Sequence, residues 1–159
     1  VEQAALNLIT LQQPIARDLR IVSSILGLAS ELERIGDYAE GIAQLVLRSA
    51  HLPPLSLPGQ IMQMATQAQA MLRDAIDALR QRDAQAGSRL NSIDSDVDRL
   101  YAETTRWAIT SMQSDPATVE RAMYYVWIAH NLERIADRTV NIGERATFIA
   151  TGIIDSSRQ

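Results

Sequence analysis

The chain of 159 residues contains no cysteine and no lysine. Without cysteine there are no disulfides, no thiolate nucleophile and no Cys-ligated zinc or iron–sulfur cluster. Any metal is left to oxygen donors or to the two histidines. Without lysine, all 15 basic residues are arginine, which removes Schiff-base chemistry and the phosphate-gripping lysine of a P-loop. Aromatic residues are scarce at 4%, and the net charge of -4 includes no basic block, so a nucleic-acid groove is not indicated. No run of eighteen apolar residues is long enough to cross a bilayer, and no charged-then-apolar leader is legible. The expectation is a soluble, intracellular protein. What the chain does have is aliphatic bulk: 47% hydrophobic residues supply a core for one compact domain or two small ones.

A second feature is internal duplication. The stretch from Leu32 to Ala43, LERIGDYAEGIA, returns one hundred positions later from Leu132 to Gly143 as LERIADRTVNIG. Both copies keep two acids four residues apart, Glu33 with Asp37 and Glu133 with Asp137. That spacing puts them on one face of a helix, about one turn apart. Side-by-side carboxylates repel, costing about 0.2–0.5 kcal/mol in an isolated helix, and a bound cation would cancel that cost.

Apolar periodicity places these motifs on long helices. Leu28, Leu32, Ile35, Ala39, Ile42 and Val46 mark a helix over roughly 14 to 50, with Pro14 in its first turn. Three of the five prolines fall in HLPPLSLPG, residues 51–59, which cannot continue a helix and so form a connection. Ile61, Met64, Ala68, Met71, Ala75 and Leu79 then predict a helix over roughly 60 to 82. Ala86, Leu90, Ile93, Val97, Leu100, Thr104 and Trp107 predict another over roughly 84 to 113. Ser114 and Asp115 can cap a third, which opens at Pro116 and runs to about Ala150 before Gly152. No segment alternates with the period of a strand, so the expected fold is all-α. It consists of residues 1–50 as the end of one unit, 51–59 as linker and 60–152 as an antiparallel three-helix bundle. The first unit has only Val1 to Gln13 ahead of its motif helix, so the sequence reads as part of a longer protein whose first bundle is completed upstream.

On a helical projection the stripe through Leu32 and Ile35 lies nearly opposite Glu33 and Asp37, which places the acids outside that core. An acidic pair on a helix is most often a solvated face. Two observations weigh against that here. Upstream, the same face is apolar, through Ile15, Leu19, Val22 and Leu26 in one copy and Val119, Ala122 and Val126 in the other, and a helix apolar on both sides is packed on both sides. The pair also recurs. Asp94 and Asp98 form another pair that neighbouring helices could bring toward Glu133 and Asp137, while Asn141 and Glu144 extend the acidic line. Such oxygen donors suit Mg, Mn, Fe or Ca. His130 could add a nitrogen favouring iron or zinc, although a lone histidine is more often a surface or packing residue. Arg34 and Arg134 are expected to pair with the acids, each exposed pair contributing about 0–1 kcal/mol. Trp107, Tyr124, Tyr125 and Trp127 are read as core or interface residues.

The segment QPIARDLRIVSSILGLASELERIGDYAEGIA, Gln13 to Ala43, resembles the first repeat of the PhoU proteins, and NLERIADRTVNIGE, Asn131 to Glu144, resembles their second. The resemblance implies two tandem antiparallel three-helix bundles, the first incomplete in this chain. It also implies metal, of the Fe, Zn, Mn or Mg class, at Glu33, Asp37, Asp94, Asp98, Glu133, Asp137 and Asn141. Gly41 departs from the family's usual asparagine, which weakens the first site. The implied role is a non-enzymatic cytoplasmic regulator of phosphate uptake and of the starvation response. Its implied partners are the phosphate ABC transporter ATPase and a sensor histidine kinase, with a homodimeric assembly, no nucleic acid, and membrane contact only through partners. A carboxylate-bridged di-metal enzyme would instead carry Glu-x-x-His in a four-helix core, and a metal-free helical scaffold would leave the acids unoccupied.

Overall fold

A computed structural model describes residues 1–153, with Glu2 placed by its backbone alone. Within it every regular element is helical: α1 (Glu2–Gln12), α2 (Ala16–Ser49), α3 (Gly59–Gln81), α4 (Ala86–Ser114) and α5 (Val119–Thr151), the last entered through a 3-10 turn at Pro116–Thr118. The all-α expectation is met. Pro14 is a correction: it lies in the break before α2 and not in its first turn. Gln13 adopts left-handed backbone, φ 44°, and its N–H donates to the Ile9 carbonyl, closing α1. A proline following such a cap is well placed because it cannot prolong the helix. At the other proline start the expectation holds, since the Asp115 carboxylate accepts from the Ala117 N–H and Pro116 opens the turn that passes into α5.

Helices α3, α4 and α5 pack against one another, with α5 in contact with both of the others and with α2. Met64, Met71, Leu90, Val97, Val140 and Ile142 are fully buried, each contributing about 1.5–3 kcal/mol by leaving water. α4 and α5 run antiparallel, with Gly87 beside Glu144 and Tyr101 beside His130. Gly143 lets them pack tightly, since a Cβ there would meet Leu90 Cδ1 at 2.6 Å and the Ala86 carbonyl oxygen at 3.2 Å. The turn between α3 and α4 is closed by Arg89. Its Nε and Nη2 donate to the two oxygens of Asp74, both at 3.0 Å, and its Nη1 donates to Asp83 at 2.7 Å.

α2 lies along α5, and Ile35 belongs to the same buried cluster as Met64, Leu90 and Ile128, with Leu28, Tyr38, Ile42 and Leu45 packed against it. The proline-rich connection is fastened to α5 as well. Arg121 Nε donates to the Pro53 carbonyl at 3.1 Å, its Nη2 donates to the Leu52 carbonyl, and the Tyr125 hydroxyl donates to the Leu55 carbonyl at 2.8 Å. The outer side of α2 is different. Leu32 is 47% exposed, and Ile15 and Leu19 are exposed too, against the expectation that these stripes are packed. Among the described residues α2 meets only α1 and α5, so those positions have no helix to cover them.

Replacing Leu90 by alanine should lower the unfolding free energy by about 2–5 kcal/mol, read as a fall in the urea midpoint without a change in slope. Asp83 is held below its ordinary pKa by the Gln85 backbone N–H and then by Arg89. The stability it brings is complete above the ordinary carboxylate range and is lost as pH falls through the lowered value. Asp83→Asn should therefore reduce the melting temperature at pH 7 while leaving it unchanged at the acid extreme.

Candidate functional site

The two acidic pairs of the repeat have different surroundings. On α2, Glu33 and Asp37 are exposed. On α5, Glu133 is buried at 8% exposure and Asp137 is half-buried, because α4 packs beside them. This corrects the expectation that both pairs face away from the core. The register that sets Gly87 beside Glu144 and Tyr101 beside His130 brings Asp94 level with Asp137 and Asp98 level with Glu133. Asp94 is itself 3% exposed, while Asp98 is exposed. Asn141 and Glu144 follow along α5, both half-buried. The His130 ring is tilted against Tyr101 at 6.1 Å between centroids, and its Nδ1 lies 3.8 Å from Glu133 Oε2.

The counter-charge at this face is Arg134. Its Nε and Nη2 donate to the two Glu133 oxygens, both at 2.6 Å, and its Nη1 lies 3.0 Å from Asp137 Oδ2. Burial opposes the positive charge, but the hydrogen bond to Glu133 and the attraction of Glu133 and Asp137 outweigh it and hold the guanidinium above its ordinary pKa. A forked pairing of this kind is among the stronger polar contacts in proteins. Among the described residues no three His, Asp or Glu side chains are grouped so as to hold one metal ion. As arranged, the donors do not fit a metal; Arg134 would first have to leave the place between Glu133 and Asp137.

Several polar contacts of α5 went unread in the sequence. Arg138 Nη1 lies 3.4 Å from Glu31 Oε2 across the α2–α5 seam, with both side chains largely buried. A heptad-spaced stripe on α2, Arg20, Ser24, Gly27 and Glu31, was the available signal for that seam. Trp107 and Tyr125 pack at 6.0 Å, and Tyr124 meets Trp127 edge-on at 5.4 Å, with Trp127 46% exposed. Between α2 and α3 an apolar trough of about 440 Å³ is lined by Ile42, Val46, Leu57, Ile61 and Ile128.

The chain matches the sequence model of the PhoU domain twice, over residues 1–46 and 61–146. Both matches end at the same distance beyond the motif leucine, at Val46 after Leu32 and at Ala146 after Leu132. It is 35% identical over 152 residues to the phosphate-specific transport system accessory protein PhoU homolog of Synechocystis sp., covering 96% of this chain and 67% of that one. To the homolog of the same name from Deinococcus radiodurans it is 32% identical, over 96% and 71%. The crystal structure of PhoU from Pseudomonas aeruginosa superposes with a TM-score of 0.89 at 30% identity, over 96% of this chain and 73% of that one. The phosphate transport system regulatory protein PhoU from Streptococcus pneumoniae gives 0.82 at 33%, over 96% and 72%. The chain thus spans about two thirds to three quarters of these proteins.

Removing the Arg134 side chain leaves Glu133 buried without its main partner. Arg134→Ala should cost about 1–3 kcal/mol at neutral pH. Urea denaturation of the wild type and the variant, compared by midpoint at pH 7, checks this.

Proposed function

The chain belongs to the PhoU family, and we propose that it is a cytoplasmic, non-enzymatic regulator of phosphate uptake and of the phosphate-starvation response. It would act by docking between the ATPase of the phosphate ABC transporter and the sensor histidine kinase. Relatives that carry the name phosphate-specific transport system accessory protein support association with the transport system. The observation that carries the docking reading is the asymmetry of the duplicated motif. On α5 both acids are paired with Arg134 within the fold. On α2 the same pair, Glu33 and Asp37, is exposed on the helix face that also carries exposed Ile15 and Leu19. Charges on the rim of an apolar contact select partners and speed encounter.

Metal at Glu133 and Asp137, with Asp94, Asp98 and Asn141 nearby in register, enters this proposal as an exchange in which a cation replaces the Arg134 guanidinium. The engagement of Arg134 favours a metal-free docking scaffold as the resting form.

In the complete protein, Glu33→Arg with Asp37→Arg should weaken binding to the purified ATPase or kinase by about tenfold, or ~1.4 kcal/mol, and raise a starvation-promoter reporter under phosphate-replete growth. Unchanged binding to both partners, with unchanged repression, would overturn the docking reading. Metal content by mass spectrometry, compared between wild type and Arg134→Ala, tests the exchange. A variant holding no more metal than wild type sinks it.

A further inference from the structure

The repeat allows the two ends of the α2–α5 seam to be compared position by position. Gly27 on α2 faces Arg145 on α5, and Gly41 faces Asn131, so each end is built from the same repeat positions with the helices exchanged. One end is closed. There the half-buried Arg145 rests its guanidinium on Gly27, and Glu31 pairs with Arg138. At the other end Trp127 stands where the first copy has Gly27, and the shorter Leu45 stands where the second has Arg145. That end stays open. A cavity of about 280 Å³ remains there, lined by Gly41, Gln44, Arg48, Trp127, His130 and Asn131. The acids of the closed end are missing too, since Asn131 holds the position of Glu31 and Gln44 that of Glu144.

Arg48 is exposed, and no acid among the described residues forms an ion pair with it. The guanidinium of Arg48 and the indole of Trp127 can only donate hydrogen bonds, so what they meet must accept. Trp127 is exposed yet held in place, edge-on to Tyr124 at 5.4 Å, and the His130 ring beside it is set against Tyr101. A fixed tryptophan next to an arginine is the composition of the few residues that carry most protein interfaces. Size points the same way. Pockets for small molecules run to about 300–1,000 Å³ and enclose what they bind, whereas this cavity is smaller and open to solvent, so it takes one side chain of a larger partner. Along α2 the same exposed face runs from Arg48 and Gln44 back to Asp37 and Glu33, about two and three turns from Gln44. A segment lying along it meets positive charge at the Trp127 end and negative charge at the other. We propose that the Trp127 opening is a docking site for a protein segment that inserts one apolar side chain beside the indole and sets an aspartate or glutamate on Arg48, supplying the carboxylate that Glu31 provides at the closed end. It rests on the docking reading above and adds a second contact to it, with Glu33 and Asp37 at the far end of the same surface.

Display selection of random peptides on the complete protein, with counter-selection on its Trp127→Ala variant, isolates peptides that need the opening. The expected survivors pair a bulky apolar residue with an aspartate or glutamate. Fluorescence anisotropy with such a peptide should show affinity weakened about tenfold or more by Arg48→Glu, weakened by added salt, and recovered on the Arg48→Glu protein when the acid of the peptide is changed to arginine. Trp127 and Arg48 are both exposed, so the two variants keep the core, and melting curves verify it. Three results overturn the proposal: no peptide survives the counter-selection, the survivors carry no acid, or they bind Arg48→Glu as well as wild type. Self-association of the protein that Trp127→Ala abolishes also overturns it, by assigning the opening to a second copy of the chain. The Glu33 and Asp37 variant leaves Trp127 and Arg48 in place and reads ATPase and kinase binding alone, so failure of the docking reading and failure of the Trp127 site are told apart.

Discussion

Helix α5 is the element that α2, α3 and α4 all pack against, and the rest of the molecule follows from its having so little free surface. Its apolar stripe, Ile128, Leu132, Ile135, Val140 and Ile142, is buried. Several of its polar positions lie against neighbours as well. Thr139 is fully buried and returns its hydroxyl to the Ala136 carbonyl at 2.6 Å. Glu133 pairs with Arg134, and Arg138 with Glu31. A helix enclosed on several sides must pair its charges internally, because water is not available to do so.

The same requirement separates the two copies of the repeat. The motif on α2 and the motif on α5 carry the same acid spacing, but only α5 has a helix beside its acids. Glu133 and Asp137 become structural partners of an arginine, while Glu33 and Asp37 remain on the surface. Duplication of sequence therefore does not give duplication of surroundings. The buried copy is paired with an arginine within the fold, and the exposed copy faces solvent.

Arginine is the only cation the chain uses, and its geometry suits these positions. A planar guanidinium can fork onto one carboxylate, as Arg134 does on Glu133 and Arg89 on Asp74, or lie flat on a glycine, as Arg145 does on Gly27. Lysine, a single point charge on a flexible stem, offers neither arrangement. The glycine on α2 is the complement of the arginine on α5, and the closeness of the two helices depends on both.

Much of the fold was legible in the residues. Periodicity located the long helices, the prolines of residues 51–59 marked the connection, Asp115 with Pro116 marked the entry to α5, and the Ala86 to Trp107 stripe named the buried face of α4. These are local signals, because a helix states its period, its breaks and its caps within a few residues. The candidate site was legible as a set of acids, and the approach of α4 to Glu133 and Asp137 was foreseen, but not the burial of Glu133 or its capture by Arg134. Leu32 and Leu132 are alike in sequence, yet one is exposed and the other buried, since only the second has helices on every side. Sequence alone determined which residues are helical and which positions recur. The tertiary structure decided which copy is enclosed and which arginines meet across the α2–α5 seam, because that depends on the register between helices about one hundred residues apart.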